Sequence, residues 1–158
     1  NLGLSPNVLL VCANSEDLPI KSAVADGLVA NAILEHLPDE KRAVGEITRV
    51  VKRGAPVMVA MPLAYHLIWP FLWLPNFLHD RRIGHLRRYS RTSILHTFRS
   101  FDKIAVYYTG HLTKVACLVL FLLTKNVRWS ALGERLDELF QRIPYGASNI
   151  VALLKKRV

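Results

Sequence analysis

The first half of the chain alternates short apolar runs with amphipathic stretches, the pattern of a parallel α/β sheet. Val8–Ala13 (VLLVCA) predicts a buried strand, Asp26–Ala32 (DGLVANA) a second, and Pro56–Met61 (PVMVAM) a third. Between the last two, Ala43, Ile47, Val50 and Val51 recur at helical spacing across Asp39–Val51. Pro38 and Asp39 favour the start of that helix and Gly54 its stop. Strand, helix, strand in about 30 residues is a βαβ unit, because parallel strands need a crossover of that kind.

The second half changes character. Leu63–Leu78 is apolar and aromatic, carrying Tyr65, Trp69, Phe71, Trp73 and Phe77, and is interrupted by Pro70 and Pro75. A stretch of this kind is buried, binds an apolar ligand or touches a membrane. It is not a span, because two prolines break it and ~20 helical residues are needed. An arginine-rich turn, HDRRIGHLRRYS, leads to a helix over Ser90–Ser100, and Lys103–Thr109 alternates as a strand does. Leu112–Leu123 is apolar on every face, Trp129–Arg142 reads as an amphipathic helix, and Ser148–Leu154 as the closing strand. Burial of the two apolar segments against each other is the expectation set against interfacial docking. Without repeats or a linker, residues 1–158 read as one domain, with 63–100 as an insertion or lid within it.

Composition narrows the classes. Apolar residues make up 51% of the 158 and charged ones 21%, which excludes an intrinsically disordered chain. The net charge of +9 is concentrated in Arg81, Arg82, Arg87, Arg88 and Arg91 and in Lys155, Lys156 and Arg157. No nucleic-acid-binding signature accompanies it, so no nucleic-acid partner is expected, and a terminal basic run reads first as a solvated tail. Cys12 and Cys117 form no CxxC motif, which fits neither a disulfide framework nor a zinc site and suits a reducing cytosol. His66, His79, His85, His96 and His111 fall into no HxxxH or HxH pair, so no metal site is expected from spacing. The chain begins at Asn1 with no signal pattern after it, and the start reads as internal.

Three motifs then stand in order. The first is Ala13-Asn14-Ser15-Glu16-Asp17-Leu18-Pro19. The second is Asp26-Gly27-Leu28-Val29 leading to Leu34-Glu35-His36-Leu37-Pro38-Asp39, and the third is Glu46-Ile47-Thr48-Arg49-Val50-Val51-Lys52-Arg53-Gly54. At this spacing they resemble the half of a class I S-adenosylmethionine-dependent methyltransferase, of the type 11 group, that follows the cofactor loop. The resemblance implies a Rossmann-like α/β sheet, here with its first strands missing, a helical aromatic-rich insertion and a C-terminal antiparallel strand pair.

It also implies a site at the carboxyl ends of the strands, where ligands bind in doubly wound sheets. S-adenosyl-L-methionine is the implied cofactor. Asn14 would accept from the adenine amino group in place of the family's acid, with Ser15 beside it, and Asn31 and Ala32 would lie beneath the methionine part. His36 would face the reacting methyl as a base or an orienting group. In Gly84-His85-Leu86-Arg87-Arg88-Tyr89-Ser90, similar to a family stretch bordering the acceptor, His85, Arg87, Arg88 and Tyr89 would bind substrate. The plainer readings stay open: a turn cap at Asn14, a packing role for His36, a local acid partner for Arg88 and a helix cap at Ser90. SN2 methyl transfer needs alignment more than acid–base help, so the lack of an obvious dyad is no objection.

The family's first strand and glycine-rich loop have no counterpart, since the eight glycines are scattered. The expectation is therefore an N-terminally truncated methyltransferase domain, poor at holding its cofactor alone and open along one flank of its sheet. Its acceptor would be a small molecule, lipid-like or anionic, and its location cytoplasmic with peripheral membrane contact. Two rivals remain: a non-enzymatic membrane-peripheral binding module, and a nucleotide-sugar or NAD enzyme on a similar sheet.

Overall fold

A computed structural model describes residues 7–158. Its centre is a four-stranded sheet of β1 (Leu28–Asn31), β2 (Pro56–Pro62), β3 (Phe101–Thr109) and β4 (Asn149–Lys156), in the order β1-β2-β4-β3. The first pair is parallel and joined by α1 (Glu40–Val50), while β4 runs antiparallel to both its neighbours. This is the βαβ unit that the periodicity predicts and the antiparallel C-terminal pair that the resemblance implies.

Helix α1 starts where Asp39 accepts from the amide of Arg42 at 3.0 Å, the usual way an N-cap satisfies an orphan donor. Its buried face, Ala43, Val44, Ile47 and Val50, lies on Val57 and Val59 of β2 and on Leu34, Ile94 and Phe98. At its other end the Lys156 ammonium donates to the carbonyls of Thr48 and Val51 at 2.6 and 2.8 Å, where a cation suits the helix dipole. On β4, Ile150, Ala152 and Leu154 point inward at every second position and complete that core.

Residues 63–100 hold two short 3₁₀ turns, α2 (Trp73–Ile83) and α3 (Arg91–Thr97). Pro75 does not break α2, because it lies in the first turn, where its missing N–H has no helical acceptor. Ser90 caps α3 in a reciprocal capping box with Ser93. The chain then forms a helical hairpin of α4 (Leu112–Thr124) and α5 (Val127–Phe140) between β3 and β4. It is anchored by Asp137, whose carboxylate accepts from the amides of Gly110 and His111 and faces His111 Nδ1 at 2.7 Å.

Two expectations are corrected. Val8–Ala13 forms no strand; Leu9 is 85% exposed and Leu10 64%. An apolar run becomes a strand only when its backbone pairs with a neighbouring strand, and Val8–Ala13 forms no such ladder among the described residues, although β1 is an edge strand with its outer side unpaired in the sheet. The expected open flank is thus the β1 edge. Nor do the two apolar segments bury each other: Phe71, Leu74 and Leu78 on one side and Leu118, Leu122 and Leu123 on the other stay exposed.

Candidate functional site

A cavity of about 370 Å³ opens at the carboxyl ends of β1 and β2. Asn31 and Ala32 form its floor, Ala60 and Met61 one side, and His79 and Ile83 of α2 another, with Glu35 and His85 between them. Ala32 holds a left-handed backbone, φ 53°, while its amide donates to Ala60 at 2.9 Å. A non-glycine residue kept there stores roughly 1–2 kcal/mol, which the β1–β2 pairing sustains.

His85 reaches the cavity because α2 ends sharply. Gly84 adopts φ 77°, the left-handed closing residue that glycine accommodates, and the amides of Gly84 and His85 both return to the Asp80 carbonyl. The imidazole is thereby turned so that Nδ1 meets Asp80 Oδ1 at 2.8 Å and Nε2 lies 3.7 Å from Glu35 Oε1. Asp80 is itself held by Arg88, through Nε at 2.5 Å and through its terminal nitrogen at 2.8 Å, and by the Tyr65 hydroxyl. Burial works to raise the Asp80 carboxyl, but these donors prevail and hold it at about 2. Burial, and then the Asp80 bond, push the Tyr65 phenol up.

Glu35 is the unusual member. It is 1% exposed, and neither carboxylate oxygen has a hydrogen-bond partner among the described residues. Its backbone is fixed, since the carbonyl accepts from Leu86 at 2.8 Å. His36, which is exposed, sets its ring edge-on to His85 at 4.7 Å between centroids. The donor atoms of Glu35, His36 and His85 all lie within 4.8 Å of one another.

The residues expected at a site are therefore partly gathered. Asn31, Ala32 and His85 line the cavity, and His36 adjoins it. Arg87, Arg88 and Tyr89 are engaged elsewhere. Arg87 donates to the carbonyls of Leu34, Leu37 and Pro38, which fastens the loop after β1. Arg88 holds Asp80 and lies over the Tyr65 ring at 4.4 Å. Tyr89 is 2% exposed within the core, where burial pushes its phenol well up.

Asn14 does not line the cavity and accepts from the Glu16 amide at 2.9 Å, an Asx turn. Ser15 borders a second, apolar hollow of about 240 Å³ along the open β1 edge, formed with Leu18, Val29 and Ile33. Sequence reading did not single out Glu35, His79 or Asp80. For Glu35 the one signal was its place beside His36 in the second motif, for Asp80 it was the local acid partner open to Arg88, and for His79 there was none.

Residues 2–59 match the family model described as a methyltransferase domain. Over 71 residues the chain is 32% identical to 2-methyl-6-phytyl-1,4-hydroquinone methyltransferase of Arabidopsis thaliana, covering 45% of this chain and 20% of that protein. The chain thus spans about a fifth of the length of that curated relative. A methyltransferase structure from Bacillus halodurans C-125 superposes with a TM-score of 0.62 at 14% identity, over 96% of this chain and 78% of that one. A SAM-dependent methyltransferase from Archaeoglobus fulgidus gives 0.62 at 15%, over 92% and 66%. The chain thus has the fold of solved methyltransferases along nearly its whole length and matches the methyltransferase-domain family over residues 2–59.

Proposed function

We propose that this chain is the acceptor-side portion of an S-adenosylmethionine-dependent methyltransferase that acts on a small, lipid-like molecule. The cavity at the carboxyl ends of β1 and β2 carries the reading, because that is where an open α/β sheet binds ligands. The residues present suit two parts of the cofactor. The apolar hollow beside Ser15 suits an adenine ring, and Asn31 and Ala32, between hollow and cavity, suit the part bearing the methyl. No cluster of glycine amides for the carboxylate end occurs among the scattered glycines of this chain. When bound, the cofactor supplies an activated methyl; the chain's part is to orient the acceptor against it and exclude water.

The lipid-like acceptor rests on two supports: the relative that methylates a phytyl-bearing hydroquinone, and the exposed apolar face of Phe71, Leu74 and Leu78 near the cavity wall formed by α2. In this reading, residues 63–100 act as the acceptor-side lid.

The test is amide chemical-shift mapping of this chain with S-adenosylmethionine. Weak binding, of about millimolar strength, with shifts concentrated at Asn14–Ser15 and Asn31–His36 is expected. No shifts there, or shifts confined to the basic C-terminus, would remove the reading.

A second reading, peripheral contact with a membrane, is favoured by one observation: Arg81 and Arg82 stand beside the exposed apolar side chains of α2. No helix among the described residues is long and apolar enough to cross a membrane. Co-sedimentation with anionic vesicles that is lost in a Phe71→Ser/Leu74→Ser variant is the expected result, and equal sedimentation of both proteins would refute it.

A further inference from the structure

We infer that Glu35, His36 and His85 form a binding site for a divalent first-row transition ion at the mouth of the cavity. The three donors lie within 4.8 Å of one another, with Glu35 Oε1 and His85 Nε2 at 3.7 Å. An ion with bonds of about 2.0–2.2 Å holds neighbouring ligand atoms roughly 3–3.5 Å apart, so small side-chain rotations close the set. His36 is exposed and free to make the largest of them.

Two independent observations point to an ion rather than to chance proximity. The first is Glu35: a carboxylate 1% exposed with both oxygens unpartnered among the described residues is costly to bury, and a cation supplies the missing partner. The second lies behind His85. A metal-bound imidazole ordinarily donates its other ring N–H to a carboxylate, which sets the tautomer and ring orientation. Asp80 occupies that place, 2.8 Å from Nδ1, and is pinned by Arg88 and Tyr65, so Nε2 is presented towards Glu35 and the cavity. Asp80 is thus a positioning residue.

Two imidazoles and one carboxylate select zinc, iron(II), cobalt(II) or manganese(II) over calcium or magnesium. Three protein donors leave coordination positions open towards the cavity. An acceptor oxygen bound there would be polarised, and its anion stabilised beside the incoming methyl. The ion site stands on these side chains alone, whether or not the chain transfers methyl groups.

The experiment is titration of the untagged chain with cobalt(II), read by visible absorption and by calorimetry without any cofactor. One ion per chain is expected, with a His36→Ala variant, altered only at an exposed side chain, at least ~10-fold weaker and Glu35→Gln abolishing the site. Asp80→Asn should weaken it by about 10–100-fold. His96→Ala, on α3 and outside the site, should leave it unchanged. Absence of stoichiometric binding, or binding indifferent to both His36→Ala and Glu35→Gln, would overturn the proposal.

Discussion

Asp80 and His85 meet across the end of α2, Oδ1 to Nδ1 at 2.8 Å, and the same carboxylate takes the side-chain fork of Arg88. One buried acid therefore serves two purposes: it ties α2 to the segment leading into α3, and it aims His85 at the cavity. Arg88 also donates to the carbonyl of Leu63 at 3.0 Å, so the cluster reaches the end of β2.

Arg88→Ala leaves Asp80 buried without its counter-charge, and we expect a loss of about 3–5 kcal/mol. Arg88→Lys should recover little of it, because an ammonium cannot span both carboxylate oxygens and Asn76 as the guanidinium does. Urea unfolding of the three proteins checks this. A lysine variant as stable as the parent would show that only the charge matters.

Acid should weaken the fold through two carboxylates. The Glu46 carboxyl is held at about 2 by the Arg49 guanidinium and the Leu18 amide, and Asp80 at about 2 by Arg88. Both are depressed in the folded state. Their stabilisation is therefore present above the ordinary carboxylate range and is lost as pH falls from about 4 towards about 2. Unfolding midpoints followed from neutral pH into acid should drop over that window, and Glu46→Gln should flatten the drop. An unchanged acid limb in that variant would mean Glu46 contributes nothing.

Gly133→Ala normally helps a helix by about 1 kcal/mol. Here the added methyl would lie 2.9 Å from Cys117 Cβ on the facing helix, so α4 and α5 must move apart. We expect a net loss of about 1–3 kcal/mol, seen as a lower thermal midpoint. A gain would show that the hairpin is loosely packed.

Lys155 and Lys156 are neighbours with opposite expectations. Lys156 donates to two carbonyls at the end of α1, whereas the exposed Lys155 makes no such contact. Lys156→Met should cost about 1–3 kcal/mol and Lys155→Met within about 0.5 kcal/mol. Equal effects in denaturant titrations would contradict the capping role.

Most of the elements could be read from the chain itself: α1 with its Asp39 cap, β2, β3, β4, α5 and the Ser90 cap all follow from local periodicity and local hydrogen bonding. So did the placing of Asn31 and Ala32 at a strand end, which the three motifs marked. Periodicity is legible because each inward-facing side chain reports its own need for burial.

What only the tertiary structure decided involves partners far away in sequence. Val8–Ala13 has the composition of a strand, but hydrogen bonds to a neighbouring strand make one, and none reaches it here. Arg87 and Arg88 are adjacent and chemically alike, yet one serves the Leu34–Pro38 loop and the other Asp80, because the extended backbone between Leu86 and Tyr89 turns them to opposite sides. Glu35 is one acid among twelve in the sequence. Its meeting with His85 depends on Gly84 ending α2 at that point and on the Leu86 amide binding the Glu35 carbonyl, long-range geometry that no local pattern encodes.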